Sequence, residues 1–97
     1  MYSYDCHMIF DTAREIPSHR TTSPIGGPQR HFRLASVLVN PLGITTDVVL
    51  VEGHRAVYVY PATATGDIAD FGALLAEFPA GTAPGDALHQ LGYEAAA

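Results

Sequence analysis

Residues 47–61 read DVVLVEGHRAVYVYP, and this stretch limits the architecture more than any other part of the chain. Two runs rich in valine and tyrosine flank Gly53-His54, with glycine where a two-residue type II′ hairpin needs it. The spacing predicts strands over 47–52 and 55–60, pairing Glu52 with Arg55, Leu50 with Val57 and Val48 with Val59. One face then carries Val48, Leu50, Val57 and Val59; the other carries Val49, Val51, Ala56, Tyr58 and Tyr60. Both faces are apolar, and a lone hairpin is marginally stable in water. Cover on two sides is therefore required, from the chain itself or from a partner.

The flanking segments offer that cover. Tyr2, Tyr4, Cys6, Met8 and Phe10 alternate with polar residues and predict a strand over 2–10. DTAREIP, residues 11–17, reads as a turn or a short helical piece before Pro17. Residues 29–40, QRHFRLASVLVN, fit two descriptions. As a helix, Gln29, Arg33, Ser36 and Asn40 line a polar side, and Pro28 falls in the first turn, where a missing N–H costs nothing. As a strand, Val37 and Val39 suit the pleat but the alternation is poorer. We read the segment as helix, ended by Pro41.

Ile68, Phe71, Leu75 and Phe78 recur at helical spacing and predict a helix over 67–78 with Asp67 as its cap. TAPGDALHQLGY predicts a last helix over 83–91, capped by Thr82, with Gly92 in the left-handed position that returns Tyr93 over Leu88. The expected fold is α+β: a small antiparallel sheet of three or more strands (about 2–10, 47–52 and 55–60) with helices (about 67–78, 83–91 and 28–40) on one face. Residues 1–94 read as a single domain with a basic Gly/Pro-containing loop at 18–30, and 95–97 as a frayed tail.

Charge is scarce. The chain of 97 residues is 15% charged, against about a quarter in an average soluble domain. A domain this small has proportionally more surface, so something other than charge must cover it, and self-association is one answer. The net charge is −5, all five basic side chains are arginines, and the segment beyond Arg55 is acidic only. The single cysteine, Cys6, excludes an internal disulfide and suits a reducing compartment, so a cytoplasmic location is expected. The first ten residues show no signal-peptide pattern, and no apolar run is long enough to span a bilayer as a helix.

Residues 18–33, SHRTTSPIGGPQRHFR, raise the question of an anion site. Arg20, Arg30 and Arg33 offer planar forks suited to phosphate, His31 adds charge as pH falls, and Gly26-Gly27 would let backbone approach a ligand. The spacing matches neither nucleotide-binding fingerprint, and an acidic chain is an unusual nucleic-acid binder. His19, His31, His54 and His89 are scattered, and adjacent Cys6 and His7 would point to opposite faces of a strand, so no metal site or cofactor is expected. IFDTA, residues 9–13, resembles the opening of the catalytic motif of retroviral-type aspartic proteases. Gly26 and Gly27 come too soon for that family's flap, and its late Gly-Arg-Asn/Asp segment is missing, so no catalytic residue is assigned.

The tyrosines are the remaining signal. Tyr58 and Tyr60 share one hairpin face, and Tyr2 and Tyr4 share a face of the first strand, a combination suited to an interface or to a second core. The sequence therefore points to a small non-enzymatic interaction or regulatory module that binds a protein partner or itself through Tyr58, Tyr60, Tyr2 and Tyr4. The alternative is an anion or nucleic-acid-backbone binder using Arg20, Arg30, Arg33 and His31. Neither reading involves a membrane.

Overall fold

The computed structural model describes residues 11–17, 22–24, 26–40 and 43–96. The strand expected over 2–10, with Tyr2 and Tyr4, and the loop residue Arg20 lie outside them. Among the described residues the chain forms six strands and one short helix: β1 (Asp11–Ile16), β2 (Gln29–Asn40), β3 (Gly43–Glu52), β4 (Ala56–Pro61), β5 (Ala76–Pro79), α1 (Pro84–Gln90) and β6 (Tyr93–Ala96). Strands β1 to β5 form an antiparallel meander, and β6 adds alongside β1 in parallel, giving the order β5-β4-β3-β2-β1-β6. The sheet curls into a half-barrel.

This corrects the expected α+β sandwich with three helices on one face. Residues 28–40 are not helical: Gln29–Asn40 pairs with β1 on one side and β3 on the other. The helical stripe counted along this segment is real as a pattern but loses to two ladders of backbone hydrogen bonds, in which Phe32 opposes Val48. DTAREIP is also a strand rather than a turn or helical piece, with Ala13 opposite Leu34. The helix expected over 67–78 is absent as well. Gly66 adopts φ +96°, the N–H of Asp67, the expected cap, donates to the Thr63 hydroxyl, and the Asp70 side chain accepts a bond from the Gly72 N–H in a local turn. Beyond it, the Leu75 N–H donates to the Val59 carbonyl, and the chain completes the outer edge of β4 as β5.

The central hairpin forms with a register different from the expected one. Leu50 opposes Val59 and Glu52 opposes Val57, because Gly53 N–H closes a four-residue turn onto the Ala56 carbonyl. Gly53 is not among the residues with positive φ, so the two-residue turn that demands it does not occur. The slip is two residues, which leaves every side chain on its expected face.

Each face of the sheet has its own core. On one, Ala13, Phe32, Leu34, Val48, Leu50 and Val59 pack with Ala87 and Leu88 of α1 and Tyr93 of β6. Helix α1 thus plugs the half-barrel, and Gly92 (φ +97°) turns the chain back into β6. No side chain caps α1: the Thr82 hydroxyl, expected there, donates to the Pro79 carbonyl, and the N-cap is Ala83. Strand β6 continues to Ala96, opposite Arg14, so the chain end read as a frayed tail is paired up to that residue. On the opposite face Val49, Val51 and Ile68 form a smaller core with Tyr58, Tyr60 and Ala62 packed against it.

Candidate functional site

Strand β2 sets the geometry of everything that follows. Gln29, His31 and Arg33 alternate onto the face carrying the smaller core, and their partners Val51, Val49 and Asp47 on β3 face the same way. His31 and Asp47 are both buried, and His31 Nε2 lies 2.6 Å from Asp47 Oδ2. A carboxylate only accepts, so His31 carries its proton on Nε2 toward Asp47. Arg33 Nε donates to the same oxygen at 3.2 Å, and the Thr46 hydroxyl donates to Oδ1 at 3.0 Å. Burial alone would push the Asp47 carboxyl up; the bonds from His31, Thr46 and Arg33, with the Arg33 charge, outweigh it and hold the group below its ordinary value.

The segment after β4 closes over this network. Arg33 Nη2 donates to the Ala64 carbonyl at 3.2 Å, and Gln29 Nε2 donates to the Gly66 carbonyl at 2.8 Å. Among the described residues the remaining polar atoms of the two buried side chains, Gln29 Oε1 and His31 Nδ1, have no hydrogen-bond partner. A buried His–Asp pair orients the base in several hydrolytic sites. Here the His31 side chain has 0% exposure and its Nε2 is committed to Asp47, so the ring faces no solvent-filled space. The arrangement fixes the segment 62–68 to the sheet and holds the Arg33 guanidinium in one orientation.

The anion set read from residues 18–33 is dispersed. Arg30 falls on the opposite sheet face from Arg33 and pairs with Glu15 at 3.3 Å on the surface. His31 is buried, as described, while Arg33 remains half exposed. The glycine pair serves the chain rather than a ligand: Ser23 N–H donates to the Gly27 carbonyl, Gly26 N–H to the Ser23 carbonyl, and Glu52 N–H to the Pro28 carbonyl. Gly27 has φ +87°, and a Cβ there would run into the Glu52 carbonyl oxygen.

The structure places a different arginine beside Arg33. Arg14 of β1 is its direct cross-strand partner, and the two lie in an open cleft of about 380 Å³ lined also by Thr12, Ile16, Leu34 and Ala35. Among the described residues Arg14 has no carboxylate partner. Sequence reasoning missed it because residues 11–17 read as a turn or a short helical piece; a strand reading of both segments would have placed both arginines in one sheet. Asp47 had a legible signal too, as the charged residue that opens the run of four apolar ones at 48–51.

The tyrosine face is largely internal. Tyr58 and Tyr60 are half-buried, their ring centroids 6.5 Å apart, and Phe71 comes within 6.4 Å of Tyr60. The cover comes from the segment after β4.

A second exposed surface lies at the far end of β2 and β3. Strand β2 bulges between Arg33 and Leu38, after which Leu38 opposes Thr45 and Val39 opposes Ile44. Ser36 anchors this bulge, donating from its hydroxyl to Asp11 Oδ2 at 2.5 Å and accepting from the Tyr93 hydroxyl at 3.0 Å. Beyond it the pair continues as an arm, on which Val37, Val39 and Ile44 are 48%, 74% and 68% exposed. The thirteen residues between Arg33 and Asp47 include no charged side chain. Among the described residues no group of three or more histidine, cysteine, aspartate or glutamate side chains is placed to hold a metal ion. Among the described residues no helix is long and apolar enough to cross a membrane. No protein-family model, no curated protein and no solved structure matches this chain.

Proposed function

We propose that this chain is a small non-enzymatic interaction module, and that the β2–β3 arm is the surface through which it binds a second copy of itself. One observation carries the reading. Three large aliphatic side chains, Val37, Val39 and Ile44, stand exposed on an arm without charge. Paired strands that project from the body of a monomer are commonly guarded by charged side chains, of which this arm has none, and contiguous apolar exposure marks contact surfaces. The low charge of the whole chain favours the same reading. Tyr58 and Tyr60 contribute less than the sequence suggests, since Phe71 and Ile68 already cover part of their face.

The alternative reading, an anion or nucleic-acid-backbone binder through residues 18–33, draws less support. Arg30 and Arg33 lie on opposite faces and each already has a carboxylate partner. A continuous groove following a phosphate backbone needs them side by side.

Analytical ultracentrifugation of the wild type and of Val39→Asp and Ile44→Asp tests the arm. The wild type should show concentration-dependent association, and each variant should sediment as a folded monomer. A wild type that stays monomeric, or variants that associate as it does, would remove the arm from consideration.

A further inference from the structure

The pairing of Arg14 with Arg33 puts two like charges directly opposite each other, and among the described residues only Arg33 has a carboxylate partner, Asp47. Side chains directly opposite each other on antiparallel strands sit about 5 Å apart at Cβ, and like charges there are destabilising. Both arginines are exposed at the sheet surface and share the cleft of about 380 Å³. The cleft has the size of a small-molecule site, at the lower end of the usual range. We infer that it binds a small organic carboxylate, with Arg14 as the principal donor and Arg33 as the second.

The two arginines differ in what they have left to give. Arg33 spends Nε on Asp47 and Nη2 on Ala64, and among the described residues its Nη1 has no partner. Those two bonds fix its guanidinium in place before any ligand arrives, which lowers the ordering cost of binding. Arg14 makes no ion pair among the described residues, so its whole fork is open to a planar, two-oxygen acceptor. Thr12, two residues earlier on the same face of β1, adds a hydroxyl donor to the lining.

Charge selects the ligand class. Against the two guanidiniums stand the Asp47 carboxylate, which contacts Arg33, and Glu94, which lies beside Thr12 on the same face. A monoanion adds little repulsion there, whereas a phosphate dianion meets both carboxylates with twice the charge. Of the apolar lining, the Leu34 side chain points into the core on the opposite face, so a short hydrocarbon body would meet the Ile16 and Ala35 side chains.

The test is an amide NMR titration of the labelled full chain with hexanoate, acetate and inorganic phosphate at one fixed ionic strength. Hexanoate should give saturable shifts confined to Thr12, Arg14, Ile16 and Arg33 to Ala35. Acetate, which keeps the carboxylate but lacks the hydrocarbon body, should bind at least about threefold more weakly. Arg14→Gln should lower hexanoate affinity by about tenfold or more, as expected for loss of a charge-assisted bond. Its remaining amide spectrum should overlay the wild type, because Arg14 is an exposed side chain without a described partner. Arg55→Gln, which removes an exposed arginine outside the cleft, should stay within about twofold of the wild type. Absence of saturation with hexanoate, or equal affinity in Arg14→Gln, would overturn the site. Tighter binding of phosphate than of hexanoate would overturn the ligand class.

Discussion

His31 Nε2 stands 2.6 Å from Asp47 Oδ2, and the carboxylate at the centre of that contact also receives Arg33 and Thr46. One buried acceptor group thus holds three donors from two adjacent strands. Removing it strands the donors, and that asymmetry makes the network more costly to break than its members are worth singly.

Asp47→Ala should destabilise the fold by about 3 kcal/mol, because His31 Nε2 then loses its acceptor inside the sheet. Urea unfolding followed by far-ultraviolet circular dichroism measures it. A loss below about 0.5 kcal/mol, the range of an ordinary surface change, would show that the network is not a stabilising one.

The same carboxylate predicts the direction of acid sensitivity. Its folded-state value lies below the ordinary 3.8, so between the two values the unfolded chain binds the proton more readily. The stability it contributes is fully present above about pH 4 and falls as pH drops through the folded value. Denaturant midpoints measured from pH 6 down to acid should decline more steeply for the wild type than for Asp47→Asn. Parallel declines would assign the acid sensitivity to other carboxylates.

Gly26 and Gly27 both have positive φ but differ in surroundings. Gly26→Ala meets no atom and should cost about 1 kcal/mol of backbone strain alone. Gly27→Ala meets the same strain and the Glu52 carbonyl oxygen, so its loss of stability should be at least about twice as large. Equal midpoints in thermal melts would refute the close approach of Gly27 to Glu52.

Leu88 is fully buried between α1 and the sheet, and Leu88→Ala should cost about 3 kcal/mol. Tyr93→Phe keeps the packing and removes only the hydroxyl bond to the Ser36 carbonyl, for about 1 kcal/mol. The ratio of the two losses in chemical denaturation separates the apolar from the polar share of the plug. A Tyr93→Phe cost as large as that of Leu88→Ala would contradict the division.

The central strands and the last helix were legible because their signals are local: valine runs around Gly53, and Gly92 closing a short amphipathic segment. Residues 29–40 and 67–78 were misread because helical stripes there are present in the residue pattern. Which structure wins depends on unpaired edges of β3 and β4 that only the assembled sheet supplies. The hairpin register could not be read from the pattern at all. Valine opposes leucine in either of two alignments two residues apart, so only the turn at Gly53–Ala56 distinguishes them. For the candidate cleft, Arg33 was recognised and Arg14 was not, since their adjacency comes from pairing segments 19 positions apart.

The parallel contact of β6 with β1 bears on how the chain can acquire its fold during synthesis. Strands β1 to β5 each pair with the next in chain order, so the meander can assemble as it leaves the ribosome. The outer edge of β1 is completed only when Tyr93–Ala96 has been made. Until then the nascent chain exposes a sheet edge and a half-barrel interior awaiting Ala87 and Leu88, and emergence of residues 84–96 is what ends that exposure.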